Sequence, residues 1–273
     1  MSRWSVAAAA TVGERHIADG RPCEDAWTVR LHEFRGGEPW MILAVSDGAG
    51  TAGRAQAGSA CAVAAFADAA ARCLCAAPGM SEDVLRDCLG AARVALAVEA
   101  GLAGVPIREF ACTLLGAVIG PGTAAFAQIG DGAIVIAGDE PGSWAWMFEP
   151  QKGEYANETS FLTDEDALGR ASVAVMTNPP AEIALFTDGL ENLLIRTQPE
   201  RHVVGQFFEQ MFPPVRRANE AGLDDALCDH LAGYLATPQI AARSDDDRTL
   251  ILATCLRETV ELAARETETC ATA

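Results

Sequence analysis

CTLLGAVIGPGTAAFAQIGDGAIVIAG, residues 112–138, sets three apolar runs between two glycine-centred breaks, GPGT and GDG. Short apolar runs punctuated in this way read as strands joined by tight turns, and three in succession give the pattern of a β-meander. Upstream, WSVAAAATV (4–12) reads as a first strand, and Trp27, Val29 and Leu31 alternate as a second. Residues 41–46, uninterrupted in their apolarity as far as Val45, read as a third strand buried on both faces. An Ala-rich helix follows from about Ala55 to Ala77. A second helix starts near Ser81, a natural N-cap with Glu82 and Asp83 at the positive end of the helix dipole, and runs to about Ala103. Downstream come a polar loop (149–170), strands at Ser172–Met176 and Glu182–Phe186, helical patterns over 200–211 and 222–236, and a closing strand, TLILATC, at 249–255. Segregated runs of strands and helices predict an α+β layered sandwich rather than a parallel βαβ fold. No repeat, hinge or low-complexity linker divides the chain. One domain is expected over 1–257, followed by an acidic, frayed tail over 258–273.

Half of the 273 residues are hydrophobic, enough for a sizeable core, and the aromatic share is small. The net charge of -18 repels phosphate backbones and argues against a nucleic-acid partner. Nine cysteines without zinc-type pairing fit a reducing, cytoplasmic setting. The stretch after Arg54 meets Asp68 and Arg72 too soon to span a bilayer, so no membrane association is expected.

The carboxylates recur in one kind of place. In MILAVSDGAG (41–50), Asp47 sits where a buried strand emerges, followed by Gly48; IALFTDGL repeats this at Asp188, and QIGDGA at Asp131. Asp245, Asp246 and Asp247 stand immediately before the closing strand, and Glu24 and Asp25 before the second. For any one of these the simple reading is a turn, or for Asp188 a cap on the short helix GLENLLI. Strand ends converge in packed sheets, however, and crowded carboxylates raise one another's pKa unless a cation neutralises them. Hard oxygen ligands suit Mg²⁺ or Mn²⁺, and two such ions can activate a water between them.

CEDA (23–26), SDGAG (46–50), IGDGA (129–133), TDGL (187–190) and DDRT (246–249), in this order, resemble the protein phosphatase 2C family of metal-dependent Ser/Thr phosphatases. SDGAGTAGRAQAGS and GEYANETSFLT look most like a bacterial branch, sometimes accompanied by a Ser/Thr kinase and a von Willebrand A protein. The resemblance implies a four-layer α-β-β-α sandwich with two central antiparallel sheets. It implies that Asp47 bridges two metal ions, that the Gly48 carbonyl binds one, that Asp188 and Asp246 hold one and that Glu24 helps hold the other. Asp25 becomes a supporting partner, Asp131 the support of a weaker third ion, and Asp247 stands where the family commonly has Asn. Ala49 replaces a His found in many members. The family's phosphate-binding Arg falls at Gly20, which leaves neighbouring Arg21 as the expected clamp and His16 as another candidate for phosphate or leaving-group contact. The loop 151–163, with Tyr155, Asn157 and Thr159, is expected to flank the site as a flap.

The expected function is hydrolysis of phosphoserine or phosphothreonine on proteins by a hydroxide shared between two Mg²⁺ or Mn²⁺ ions. A phosphoprotein-binding pseudophosphatase is the first alternative, favoured by the missing His and Arg and opposed by the complete carboxylate set. A phosphohydrolase of small phosphate esters is the second.

Overall fold

The computed structural model describes residues 3–32, 37, 39–77, 79–149, 159–196 and 202–256. The expected acidic tail, 258–273, lies outside the described residues, as do Tyr155 and Asn157 of the expected flap. Along the chain the strands are β1 (Arg3–Thr11), β2 (Ala26–His32), β3 (Trp40–Ser46), β4 (Leu114–Gly120), β5 (Thr123–Ile129), β6 (Ala133–Ala137), β7 (Trp144–Trp146), β8 (Ser172–Thr177), β9 (Glu182–Phe186), β10 (Ile195–Arg196), β11 (His202–Val203), β12 (Gly222–Leu223) and β13 (Arg248–Leu256). The helices are α1 (Glu14–Asp19), α2 (Ala55–Ala76), α3 (Glu82–Ala103), α4 (Ala167–Arg170), α5 (Glu191–Leu194), α6 (Gly205–Arg216), α7 (Asp225–Leu235) and α8 (Pro238–Ala241).

Two sheets form the centre, ordered β2-β3-β4-β5-β8 and β12-β1-β13-β9-β6-β7. Their pairings are antiparallel, apart from the short parallel pair β1/β12. Strict alternation explains the layers, because successive side chains point to opposite faces. Met41, Leu43 and Val45 of β3 meet Val6 and Ala8 of β1 and Ile251 of β13 between the sheets. Ile42 and Ala44 face outward onto Phe66 of α2 and Leu89 of α3. Ala7, Leu250 and Leu252 face the other way, onto Phe208 and Phe212 of α6 and Leu231 of α7. The result is the expected α-β-β-α sandwich, in which central strands are apolar on both faces. Helix α2 is long and apolar enough to cross a membrane, but here it packs as a core helix against α3 and β3.

Two expectations are corrected. The 112–138 stretch is not a meander: β4 and β5 form a hairpin, but β6 crosses to the other sheet and pairs with β7 and β9. The edge of β5 that β6 would have occupied is taken by β8. Because each run is apolar on both faces, composition alone does not assign it to a sheet. The helix expected over 200–211 instead spans Gly205–Arg216, running through Pro213 and Pro214. Buried Phe208, Phe212 and Val215 continue its inward face past the prolines, so packing outweighs local propensity.

Candidate metal centre

Antiparallel pairing places the start of one strand beside the end of the next. Ala26 pairs with Ser46, Leu114 with Ile129, Ala133 and Leu250 with Phe186, and Thr11 with Arg248. The acidic residues just beyond these positions therefore meet at one end of the sandwich. Asp47, Asp131, Asp188 and Asp246 line a single cavity of about 150 Å³ with Gly48, Ala49, Gly50, Arg15, His16, Thr159 and Phe161.

Each carboxylate is held by its junction. Asp47 leaves β3 alongside the segment before β4: its amide donates to Thr113 Oγ1 (2.9 Å), and its carbonyl accepts from the Thr113 amide (2.8 Å). The glycine in Asp-Gly answers to space rather than to turn conformation. A Cβ on Gly48 would lie 2.7 Å from the Glu24 carbonyl oxygen, and one on Gly189 only 1.8 Å from that of Asp247. Asp188 is not a cap, since neither the 3₁₀ turn Asp188–Leu190 nor α5 has a side-chain cap. Asp131 lies in the crossover between the sheets and accepts a 2.6 Å hydrogen bond from Thr159 Oγ1, which brings one residue of the expected flap to the cavity.

Behind this ring sits a buried polar layer. Asp25 Oδ2 accepts from Thr187 Oγ1 (2.8 Å) and Thr249 Oγ1 (2.7 Å), while its Oδ1 is buried with no hydrogen-bond partner. Asp247 is 3% exposed and fully engaged. It accepts from the Gly13 amide (2.7 Å), the Glu24 amide (2.6 Å) and His16 Nδ1 (2.9 Å), which fixes His16 as the tautomer protonated at Nδ1. Of the acidic pair in DDRT, Asp246 faces the cavity and Asp247 faces the protein. His16 Nε2 is buried without a hydrogen-bond partner, 3.8 Å from Glu24 Oε2.

The electrostatics are those of crowded, buried carboxylates. Burial, then repulsion by Asp25, Asp188 and Asp246, pushes Asp47 well above the usual carboxylate range. Burial raises Asp25 to about 7, and burial with Asp131 and Asp246 raises Asp188 to about 6. Among the described residues no three Asp, Glu, His or Cys groups are gathered on one point as a ready-made ligand set.

Arg21 is not where the sequence suggested. Its guanidinium is fastened to Glu24 (2.7 Å to each oxygen) and the Gly50 carbonyl (3.1 Å), outside the acidic cavity. The arginine that lines the cavity is Arg15, 3.3 Å from both oxygens of Asp246. It rides on α1, a short helix preceded by Gly13 and closed by Gly20 in the left-handed conformation (φ 68°). The two glycines spaced around ERHIAD were the signal that could have revealed it.

The family profile of protein phosphatase 2C matches residues 12–232. Serine/threonine-protein phosphatase 3 of Escherichia coli (strain K12) is 33% identical over 251 residues, covering 92% of this chain and 98% of that protein. Among solved structures, the catalytic domain of the serine/threonine protein phosphatase PstP, in complex with 2 manganese ions, aligns with a TM-score of 0.60 at 17% identity, over 94% of this chain and 100% of that one. RsbX in complex with magnesium aligns with a TM-score of 0.51 at 12% identity, over 93% and 96%. These two likenesses show the fold, and the profile and the E. coli relative show the family. The chain belongs to the protein phosphatase 2C family of serine/threonine phosphatases.

Proposed function

We propose that this chain hydrolyses phosphoserine and phosphothreonine esters of proteins with two Mg²⁺ or Mn²⁺ ions held in the acidic cavity and a weaker third ion at Asp131. The observation that carries this reading is the ring of Asp47, Asp131, Asp188 and Asp246 around one cavity at the strand ends. The residues fit such ions. The donors are hard oxygens, the buried Asp25 Oδ1 lacks a hydrogen-bond partner, and burial with repulsion by Asp25, Asp188 and Asp246 raises Asp47, as expected of a site that favours a cation. Asp47, the Gly48 carbonyl, Asp188 and Asp246 would hold the ions, with a contribution from Glu24, whose Oε2 is 3.8 Å from His16 Nε2. Bound there, they supply Lewis acidity and a water acidic enough to attack phosphorus. The protein's own work is orientation: Thr113 fixes Asp47, Thr187 and Thr249 fix Asp25, and Asp247 fixes His16 and the Glu24 backbone. The cytoplasmic setting, with a cognate Ser/Thr kinase and a von Willebrand A protein as partners, belongs to the same proposal, and co-purification of the three from one cell extract tests it.

The purified protein is expected to hydrolyse an aryl phosphate and a phosphopeptide with Mn²⁺ and to stop in EDTA. Equal turnover with and without chelator rejects the reading. Mn²⁺ bound only by the native state stabilises it by mass action, about 2.7 kcal/mol at a hundred times Kd. For a chain of this size that raises Tm by roughly 5–10 °C. Asp188→Ala is expected to remove most of the shift, and a melting curve indifferent to Mn²⁺ would exclude the cluster.

Its position in the cavity supports Arg15, rather than Arg21, as the phosphate clamp. Once a cation takes Asp246, its planar fork is free for phosphate oxygens. Arg15→Ala is expected to raise KM for a phosphopeptide about tenfold, equivalent to about 1.4 kcal/mol, with Arg15→Lys recovering part of it. Arg21→Ala, which removes a cation that competes for the Glu24 carboxylate, should instead lower the Mn²⁺ concentration needed for half-maximal activity. The reverse pattern would restore Arg21 as the clamp.

A further inference from the structure

Next to the acidic cavity, and sharing Gly50 with it, lies a larger hollow of about 520 Å³. Arg21, Glu24, Thr51, Arg54 and Gln56 line it, along with the first turn of α2. Unlike its neighbour it is lined by arginines as well as by a carboxylate. Arg21 and Glu24 neutralise each other through their two short contacts. Arg54 has no such partner: its guanidinium rests over the Phe110 ring, 5.8 Å from the centroid, and no carboxylate among the described residues forms an ion pair with it. The nearby Glu109 carboxylate is turned to the Gly53 amide (3.1 Å) and to Arg108 (4.0 Å), which leaves the Arg54 guanidinium without a carboxylate of its own in a chain of net charge -18. The first turn of α2 reinforces it, with no acidic residue and no side-chain cap on its amides.

A phosphorylated side chain entering the acidic cavity brings its own backbone with it. An extended peptide advances about 3.4 Å per residue, so residues two or three positions away lie about 7–10 Å from the phosphoresidue. A chain running past Gly50 therefore carries those side chains over the hollow. We propose that the hollow is a subsite for a carboxylate side chain of the substrate polypeptide, an Asp or Glu a few residues from the phosphoserine or phosphothreonine, and that Arg54 reads it. This rests on the phosphatase reading and gives it a substrate class: phosphorylated sites with acidic flanks. The planar guanidinium fork matches a carboxylate in two parallel hydrogen bonds, and the stacked Phe110 ring limits its motion.

The test is kcat/KM, with saturating Mn²⁺ and low salt, on phosphopeptides carrying Glu, Ala or Lys two and three residues to either side of the phosphoserine. The wild type is expected to favour Glu over Ala by about fivefold on one side, the size of an exposed but well-oriented ion pair. Arg54→Ala should bring that ratio to about one, and Arg54→Glu should reverse it in favour of Lys, which mere loss of folding cannot do. Aryl phosphate, having no flanking residue, should be turned over alike by the wild type and Arg54→Ala. A wild-type ratio of one, or a ratio that Arg54→Ala leaves in place, overturns the subsite while aryl phosphate turnover still upholds the phosphatase. No metal-dependent turnover of any substrate overturns both.

Discussion

Asp47→Asn lowers kcat on aryl phosphate by about a thousandfold or more at any Mn²⁺ concentration, the size expected when a preorganised charge at the reacting centre is lost. That corresponds to about 4 kcal/mol of transition-state stabilisation. The amide keeps the shape of the side chain and leaves its anchors untouched, because Thr113 holds Asp47 by the backbone. It removes the charge at a buried position that Asp25, Asp188 and Asp246 also repel. The metal-free variant should for that reason melt at or above the metal-free wild type, since a neutral group suffers neither the burial penalty nor the repulsion that raise the Asp47 pKa. Loss of activity together with retained or increased metal-free stability separates a ligand from a structural residue. Turnover by Asp47→Asn within tenfold of wild type would remove Asp47 from the centre of the site.

Much of this was legible in the chain. Runs such as 41–46 and 249–255 are apolar on both faces, and a strand sandwiched between a helix layer and another sheet requires that. The acidic residues were legible because each interrupts such a run abruptly. What stayed hidden depends on pairing at long range. Nothing in CTLLGAVIGPGTAAFAQIGDGAIVIAG tells β6 to leave its hairpin neighbour, as the choice is made by β8 and β9, dozens of residues downstream. The choice between Asp246 and Asp247 is set by which one meets the amides of Gly13 and Glu24, more than 200 residues away. Arg15 lies in the first turn of α1 and Arg21 just past its Gly20 cap, and only the fold decides that the one nearer to Glu24 in sequence pairs with it outside the cavity. Local chemistry is written locally; the assignment of like residues to unlike roles is not.

Asp247→Ala is expected to destabilise the protein by about 3–5 kcal/mol, because it orphans a cluster of buried donors at once. The carboxylate accepts from the Gly13 amide, the Glu24 amide and His16 Nδ1, and no water reaches a residue only 3% exposed. At roughly 2–4 °C per kcal/mol, Tm falls on the order of 10 °C. Asp247→Asn is the sharper experiment. All three neighbours donate, and an Asn offers one accepting oxygen and one donating NH₂, so one backbone N–H is left facing another donor however the amide is turned. A loss of about 1–3 kcal/mol follows. Since Asp247 does not line the cavity, kcat at saturating Mn²⁺ should stay within about threefold of wild type, as expected for a variant that leaves transition-state contacts intact. Asp246→Asn should behave in the opposite way: a higher Mn²⁺ requirement, and no loss of metal-free stability, because it relieves repulsion on Asp188. If Asp247→Asn melts like wild type and loses its response to Mn²⁺, then Asp247 is the ligand, and the buried clamp around His16 has been misassigned.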